Sequence, residues 1–210
     1  THGQPPVIWD RAQGFQVFDP YGNVFLDFSA GVLVANCGHS HPRVLEAIRT
    51  EVNRGLVFSY CFPNSAREKL LSKLDEVTPE SLRRYYLLST GAEATETSLK
   101  LARTWGSRTG IKNKKVIISF EASFHGRTLG AQQMGGFPEA KEWIGDLDEG
   151  FIQVPFPDDI YNKNLSFDVF SETIRSKGIL PENVAGVMVE TYQGGIVSFA
   201  PVDYMKQLRE

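Results

Sequence analysis

The sequence predicts an α/β fold, in which a mainly parallel sheet flanked by helices follows a small α+β segment. From residue 85 onward, short β-branched apolar runs alternate with helical patterns, and the residues before them form short apolar pieces around turn residues. Alternation of strands and helices is typical of crossover units in a parallel sheet. We therefore expect a small α+β segment over residues 1–78 and the first part of a larger α/β domain over residues 79–210.

The amino-terminal segment is expected to open with a β-hairpin. Residues 19–23, Asp-Pro-Tyr-Gly-Asn, are a strong turn signal, and apolar pieces flank them on both sides. The predicted strands are Phe15–Phe18 and Val24–Phe28. After a glycine-containing loop, Pro42 suits the first turn of a helix, and apolar residues then recur at helical spacing as far as Val52.

A second helix is predicted to begin near Ser65. Ser65 and Glu68 have the spacing of a capping box, in which each side chain accepts a backbone N–H of the other's residue. The apolar residues expected to be buried by this helix are Leu70, Leu71 and Leu74.

The larger segment is predicted to begin with a strand, Tyr85–Leu88. The helix after it should carry on one face Ala94, Ser98, Leu101, Ala102 and Trp105. The other predicted elements are a strand at Val116–Phe120, a short helix at 127–133, a long surface loop at 136–165, a helix at 167–176, a strand at Val184–Val189 and a helix after Pro201.

Bulk properties exclude some classes of function. The net charge of -3 argues against nucleic acid as the main partner, because phosphate binding needs a clustered positive surface. Apolar runs are too short for a membrane span, and the first residues do not resemble a signal peptide. Cys37 and Cys61 have no metal or redox spacing, so we expect free buried thiols and a cytoplasmic location.

The two ends of the sequence are abrupt. The chain begins Thr1-His2-Gly3 and ends inside an amphipathic pattern, residues 204–209, without a glycine or proline stop signal. We therefore expect the chain to be a piece of a longer protein.

The stretch from Ser89 to Ala92 indicates a strand that enters a helix through small residues. Free N–H groups at a helix start bind anions, and Thr90 with Glu93 fits a capping box. Taken alone, the stretch fits a well-capped helix as well as it fits a phosphate site.

Two further motifs follow the other predicted strands, at residues 121–127 and 190–195. Ligands of open α/β sheets bind at the carboxyl ends of the strands, so three motifs at one edge favour a ligand site. Phe124 and His125 offer an aromatic face beside a titratable ring, while Glu190 and Gln193 offer a carboxylate and an amide. The set suits a flat, phosphorylated heterocycle. There is an alternative for three of these residues: Phe124 as a core aromatic, His125 as a capping or loop histidine, and Glu190 as part of a structural ion pair.

A metal site is not predicted. His39 and His41 flank Ser40, but the sequence offers no third ligand, so loop structure and helix entry are the favoured roles of both histidines.

Five stretches resemble the class III, or ω-amino acid type, aminotransferases, which use pyridoxal 5'-phosphate. They are GFQVFDPYGNVFLDF, FSAGVLVANCGHSHPRVLEAI, STGAEATETSLKLAR, FEASFHGRTLG and VMVETYQGG, and they run in order from about Val7 to the chain end. The resemblance implies a fold type I transferase, incomplete here, that transfers an amino group from an amino donor to an oxo acid. It also implies a homodimer or higher homo-oligomer.

The resemblance implies a role for each matched residue. Thr90, Gly91 and Ala92 would hold the cofactor phosphate, although family members often carry Ser or Thr where this chain has Ala92. The residues implied around the ring are Phe124, stacked on it, His125, supporting the loop, Glu190, anchoring the cofactor-side network, and Gln193, near the ring edge. Val32 would line the substrate pocket, either that of its own subunit or that of a partner subunit.

The chain departs from the family pattern in two ways. Relatives carry a second Glu in the motif that reads ETYQGGIVS here, and its absence argues against 4-aminobutyrate or ornithine as substrate. The family's Schiff-base lysine lies beyond the matched region. The ten lysines of this chain, Lys141 among them, fit solvated surface positions, so no catalytic residue is predicted here.

Two other readings stay open. The chain could belong to another α/β transferase that binds a phosphorylated ligand such as a nucleotide, although a G-x-G-x-x-G turn and a P-loop lysine are missing. It could also be an inactive or split module that serves only folding and dimerisation.

Overall fold

The structure, a computed structural model, describes residues 7–210, so the opening Thr1-His2-Gly3 lies outside the described residues. The chain divides into two compact units, Thr1–Arg83 and Arg84–Glu210, with the boundary a few residues beyond the predicted one. Within the described residues, none of the helices is both long and apolar enough to cross a membrane.

The first unit is built on a three-stranded antiparallel sheet of order β1-β2-β3. Its elements are β1 (Arg11–Gln13), β2 (Gln16–Phe18), β3 (Val24–Leu26), α1 (Ala30–Leu33), α2 (Pro42–Asn53), α3 (Ser65–Val77) and a 3-10 turn at Glu80–Leu82. The predicted hairpin is confirmed, and Val17 pairs with Phe25 across it. The Asp19 carboxylate accepts the N–H groups of Tyr21 and Asn23, which stabilises the turn between the strands.

Two expectations for α3 are wrong. The N-cap is Asn64, whose side chain accepts the N–H of Arg67, so the capping box at Ser65 does not form. α3 has no buried residues, and Leu70 is exposed. An amphipathic pattern identifies the apolar side of a helix, but whether that side is covered depends on what packs there.

The second unit is an α/β layer structure around a parallel sheet of order β5-β4-β6. Its elements are α4 (Gly91–Arg108), β4 (Val116–Phe120), α5 (Leu129–Met134), a 3-10 helix at Pro138–Ile144, β5 (Phe151–Val154), α6 (Asp168–Ser176), a 3-10 turn at Pro181–Asn183, β6 (Val184–Val187) and α7 (Val202–Arg209). The predicted parallel sheet is confirmed, as are β4, β6 and the helices after them.

The central strand β4 is buried along its whole length, which explains its largely apolar character; the hydroxyl of its one polar residue, Ser119, donates to Met134 O. Alternate residues face opposite sides of the sheet. Ile118 and Phe120 belong to a core cluster that includes Phe170 of α6 and Tyr204 of α7. Ile117 packs instead with residues of α4 and α5. Helices therefore cover both faces of the sheet.

Two predictions for this unit are wrong. Residues 85–88 do not form a strand, and the sheet does not include them. The segment 136–165 is not one long loop, because it contains β5, which pairs with β4. On α4, the buried residues are Leu99 and Gly106, and Leu101 and Trp105 on the predicted face are 62% and 66% exposed.

Both cysteines carry free thiols, but Cys37 and Cys61 are exposed rather than buried as expected. The loops that contain them lie in the first unit. Among the described residues of that unit, Val17 is the only buried hydrophobic side chain, so this unit has little core in which a thiol could be buried.

Candidate functional site

The start of α4 presents two free N–H groups. Thr90 is the N-cap, and the predicted capping box with Glu93 is confirmed. The Glu93 carboxylate also accepts the N–H groups of Ser89 at 2.9 Å and Thr90 at 3.1 Å. The N–H groups of Gly91 and Ala92 have no acceptor among the described residues. Free N–H groups at a helix start are suited to binding an anion, whereas the Thr90 N–H is already occupied by Glu93.

A close backbone contact holds the loop after β4 against the start of α4. Gly126 has φ +127°, and a Cβ built on it would lie 2.9 Å from the Cβ of Ala92. Such a contact leaves no room for a side chain, so glycine is required here. The loop that carries Phe124 and His125 therefore lies beside the free N–H groups of Gly91 and Ala92.

Phe124 and His125 differ in their exposure. Phe124 is 52% exposed, so it is not a core aromatic, and half of its surface is available to a ligand. His125 is 8% exposed, and its Nε2 atom has no hydrogen-bond partner among the described residues. Burial lowers the pKa of His125 to about 4, so the imidazole is neutral at physiological pH. This buried nitrogen keeps an unused hydrogen-bonding capacity.

Glu190 connects the ends of two neighbouring strands. Its Oε2 accepts the N–H of Phe124 at 2.9 Å, and its Oε1 accepts the N–H of Gly194 at 3.3 Å. Both contacts are to backbone N–H groups, so the structural ion pair considered as an alternative is not what holds this carboxylate. Glu190 instead fixes the backbone on which Phe124 is mounted.

Gln193 is 1% exposed, and its side chain is engaged with the protein itself. Its Nε2 donates to the carbonyl oxygen of Glu121 at 2.5 Å, and its backbone pairs with Ser198. The amide therefore connects the loop after β6 to the end of β4. A place at the ring edge stays a prediction for this residue.

Val32 belongs to the first unit, in the single turn α1. All four residues of the turn, Ala30–Leu33, have φ between +51° and +65°, so the turn is left-handed, and Val32 is 74% exposed. The Asp27 carboxylate accepts the N–H of Gly31 at 2.7 Å and lies 2.7 Å from Nε2 of His39. These hydrogen bonds, that of His39 foremost, lower the pKa of Asp27 to about 2, so it stays ionised.

Two polar residues were missed or misplaced by sequence reasoning. Lys141 is not solvated: it is 7% exposed, and its Nζ lies 3.2 Å from Gln133 O and from Gln153 Oε1. Burial lowers the pKa of Lys141. Glu96, one turn after Ala92, accepts three hydrogen bonds from the segment after Gly126. Only its i+4 spacing from Ala92 signalled that it shares the face of the site.

The comparisons with known proteins agree with this geometry. The Aminotransferase class-III family model matches residues 1–210. The chain belongs to the class III aminotransferase family. This membership leaves the nucleotide-binding transferase without support.

Class III relatives are about twice as long as this chain. The acetylornithine aminotransferase of Bacillus anthracis is 35% identical over 210 residues, which are 99% of this chain and 48% of the relative. An (S)-enantioselective omega-transaminase from Thermomicrobium roseum superposes with a TM-score of 0.87 at 26% identity, covering all of this chain and 51% of that structure. The ornithine aminotransferase of Toxoplasma gondii, crystallised with partial occupancy of PLP at its active site, gives a TM-score of 0.82 at 26% identity, covering all of this chain and 47% of that structure.

Class III aminotransferases use pyridoxal 5'-phosphate, and the residues present fit that cofactor. The free N–H groups of Gly91 and Ala92 suit a phosphate, and the half-exposed ring of Phe124 suits a flat heterocycle. The buried, unpartnered Nε2 of His125 offers a further polar contact.

Proposed function

We propose that the protein containing this chain catalyses transamination between an amino donor and an oxo acid with pyridoxal 5'-phosphate. The observation that carries the proposal is the contact of Gly126 with Ala92, which joins an anion-binding helix start to an aromatic loop. A phosphate and a flat ring on one ligand match these two features. Family membership over the whole chain supports the same cofactor.

In this proposal each residue has a physical task. Gly91 and Ala92 donate their N–H groups to the phosphate, and Thr90 orients them as the N-cap. Phe124 covers one face of the ring, His125 supports the loop as a neutral side chain, and Glu190 fixes the loop backbone. The remaining assignments are Gln193, which holds the loop after β6, and Val32, which contacts the substrate.

The catalytic power in such an enzyme belongs to the cofactor. When bound, pyridoxal phosphate supplies the electron sink that lets the substrate Cα–H bond break. The residues of this chain bind and orient the cofactor, and they exclude water from it. None of them is assigned as the catalytic base, in line with the resemblance, which puts the essential lysine outside the matched region.

Cofactor uptake tests the proposal directly. The protein as its cell makes it is stripped of cofactor, incubated with pyridoxal phosphate and reduced with borohydride. We expect a mass increase that corresponds to one reduced cofactor on a lysine. A protein that gains no such mass under these conditions contradicts the proposed function.

The assembly is part of the proposal. We expect a homodimer or higher homo-oligomer, and the exposed apolar side chains of Leu101 and Trp105 on α4 support a covered surface there. Native mass measurement of the cellular protein checks it. A native mass near that of this chain alone would instead favour the split or inactive module.

The location of the protein is also part of the proposal. The two free thiols fit the reducing cytoplasm.

A further inference from the structure

One carboxylate on α4 collects three hydrogen bonds from the segment that follows the aromatic loop. Glu96 Oε1 accepts from the Thr128 hydroxyl at 2.6 Å, the Gly130 N–H at 2.8 Å and the Ala131 N–H at 3.0 Å. Glu96 lies one turn after Ala92 on the same helix face. A single side chain thus holds the entry to α5 against the helix that starts with the anion site.

Close packing leaves this segment little freedom. A Cβ added to Gly130 would lie 2.4 Å from Glu96 Oε2 and 2.8 Å from Leu99 Cδ2. Gly126, four residues earlier, is in similar contact with Ala92. The chain between Gly126 and Gly130 therefore lies directly on α4 and is fixed at both ends, by packing at one and by Glu96 at the other.

We infer that Glu96 is a positioning residue that holds the loop of Phe124 and His125 and so sets the place of Phe124 over the ring of the cofactor. The reach of the Glu96 side chain, rather than its charge, does this, because a neutral amide oxygen at the same reach also accepts hydrogen bonds from these donors. The phosphate contacts at Gly91 and Ala92 do not depend on it. The inference rests on the proposed function and extends it to a residue outside the set predicted from sequence.

A pair of variants separates reach from charge. Glu96→Asp keeps the charge but shortens the side chain by one methylene, whereas Glu96→Gln keeps the length and an acceptor oxygen. Gly130→Ala disturbs the same contact from the other side. Glu172→Asp, at an exposed glutamate of α6, is the matched control. Each variant is made in the protein as its cell makes it and is studied well below its unfolding temperature.

Two ligands and one ligand-free measurement give the readout. We expect Glu96→Asp and Gly130→Ala to bind pyridoxal phosphate about tenfold more weakly, the size of a lost aromatic contact, and to bind inorganic phosphate as the wild type does. Glu96→Gln and Glu172→Asp should stay within about threefold of wild type for both ligands. Amide hydrogen exchange of residues 124–131 in the cofactor-free protein should be faster in Glu96→Asp alone of the three glutamate variants.

The inference is overturned if Glu96→Asp weakens both ligands equally, or if it leaves the exchange of residues 124–131 unchanged. It is also overturned if Glu96→Gln is as impaired as Glu96→Asp. A wild-type protein that binds phosphate but not pyridoxal phosphate contradicts the proposed function itself. That failure is distinct, because the exchange measurement needs no cofactor.

Discussion

Glu190 Oε2 lies 2.9 Å from the backbone nitrogen of Phe124, so a carboxylate after one strand fixes the aromatic loop after its neighbour. The same carboxylate reaches Gly194 with its other oxygen. Glu190→Ala leaves both N–H groups without this acceptor and should lower the free energy of unfolding by about 1–3 kcal/mol. Glu190→Gln, which keeps one acceptor oxygen, should lose less. Urea denaturation of the two variants checks this order, and equal losses would contradict it.

His125 makes the protein sensitive to acid. Its pKa of about 4 in the folded protein lies below the ordinary 6.5, because burial disfavours the charged imidazole. The unfolded chain therefore binds the proton first, and stability falls as the pH drops from 6.5 towards 4. At about 1.4 kcal/mol per pKa unit, the loss approaches roughly 3 kcal/mol.

The variant His125→Gln has no such titration. Its unfolding free energy, measured by denaturation at several pH values, should fall less steeply than that of the wild type between pH 6.5 and 4. Parallel pH profiles would show that His125 titrates normally in the folded protein.

Lys141 has the opposite pH dependence. Burial lowers its pKa in the folded protein below the ordinary 10.5, so the unfolded chain binds the proton more tightly. Stability should therefore rise with pH between the folded-state pKa and 10.5, and it should do so in the wild type but not in Lys141→Met. Denaturation profiles over the alkaline range compare the two. The same rise in both proteins would contradict the buried position of Lys141.

The left-handed turn α1 predicts a stabilising substitution. Val32 has φ +61°, a conformation that costs a branched residue about 1–2 kcal/mol and glycine little beyond its chain entropy. Val32→Gly should raise the free energy of unfolding by about 0.5–1 kcal/mol. Val34→Gly is the matched control. Because Val34 has φ -112°, this substitution relieves no strain and should lower the free energy of unfolding. Thermal unfolding of both variants measures the two changes. A lower stability of Val32→Gly than of the wild type would contradict the backbone strain at Val32.

Much of the fold follows from sequence patterns, and the exceptions have physical causes. β4 was predictable because a strand buried on both faces is rich in β-branched and other apolar residues. β5 was not predictable, because the Gly, Pro, Asp and Asn residues around Phe151–Val154 are typical of a loop. The pairing of these four residues with β4 is also non-local, so no local pattern indicates it. Residues 85–88 have strand-like composition, but composition does not supply a hydrogen-bonding neighbour.

The site was predictable where a motif marks backbone geometry. The capping box at Thr90 and the glycine at 126 both carry such a signal, and the structure brings them together. Glu96 and Lys141 were missed because a carboxylate or ammonium on a helical segment has the same local pattern whether it faces water or a neighbouring loop. Only the tertiary contacts of these two residues reveal what they do.

The central claim is that the N–H groups at the start of α4 hold the phosphate of pyridoxal phosphate. Gly91→Pro removes one of these donors at the first helical position, where proline is tolerated and where a Cβ meets open space. Gly91→Ala keeps the donor. Binding of pyridoxal phosphate to both variants should show a loss of about tenfold or more in Gly91→Pro and a smaller change in Gly91→Ala, since a hydrogen bond to a charged group contributes about 1.5–3 kcal/mol. Wild-type affinity in Gly91→Pro would contradict the claim.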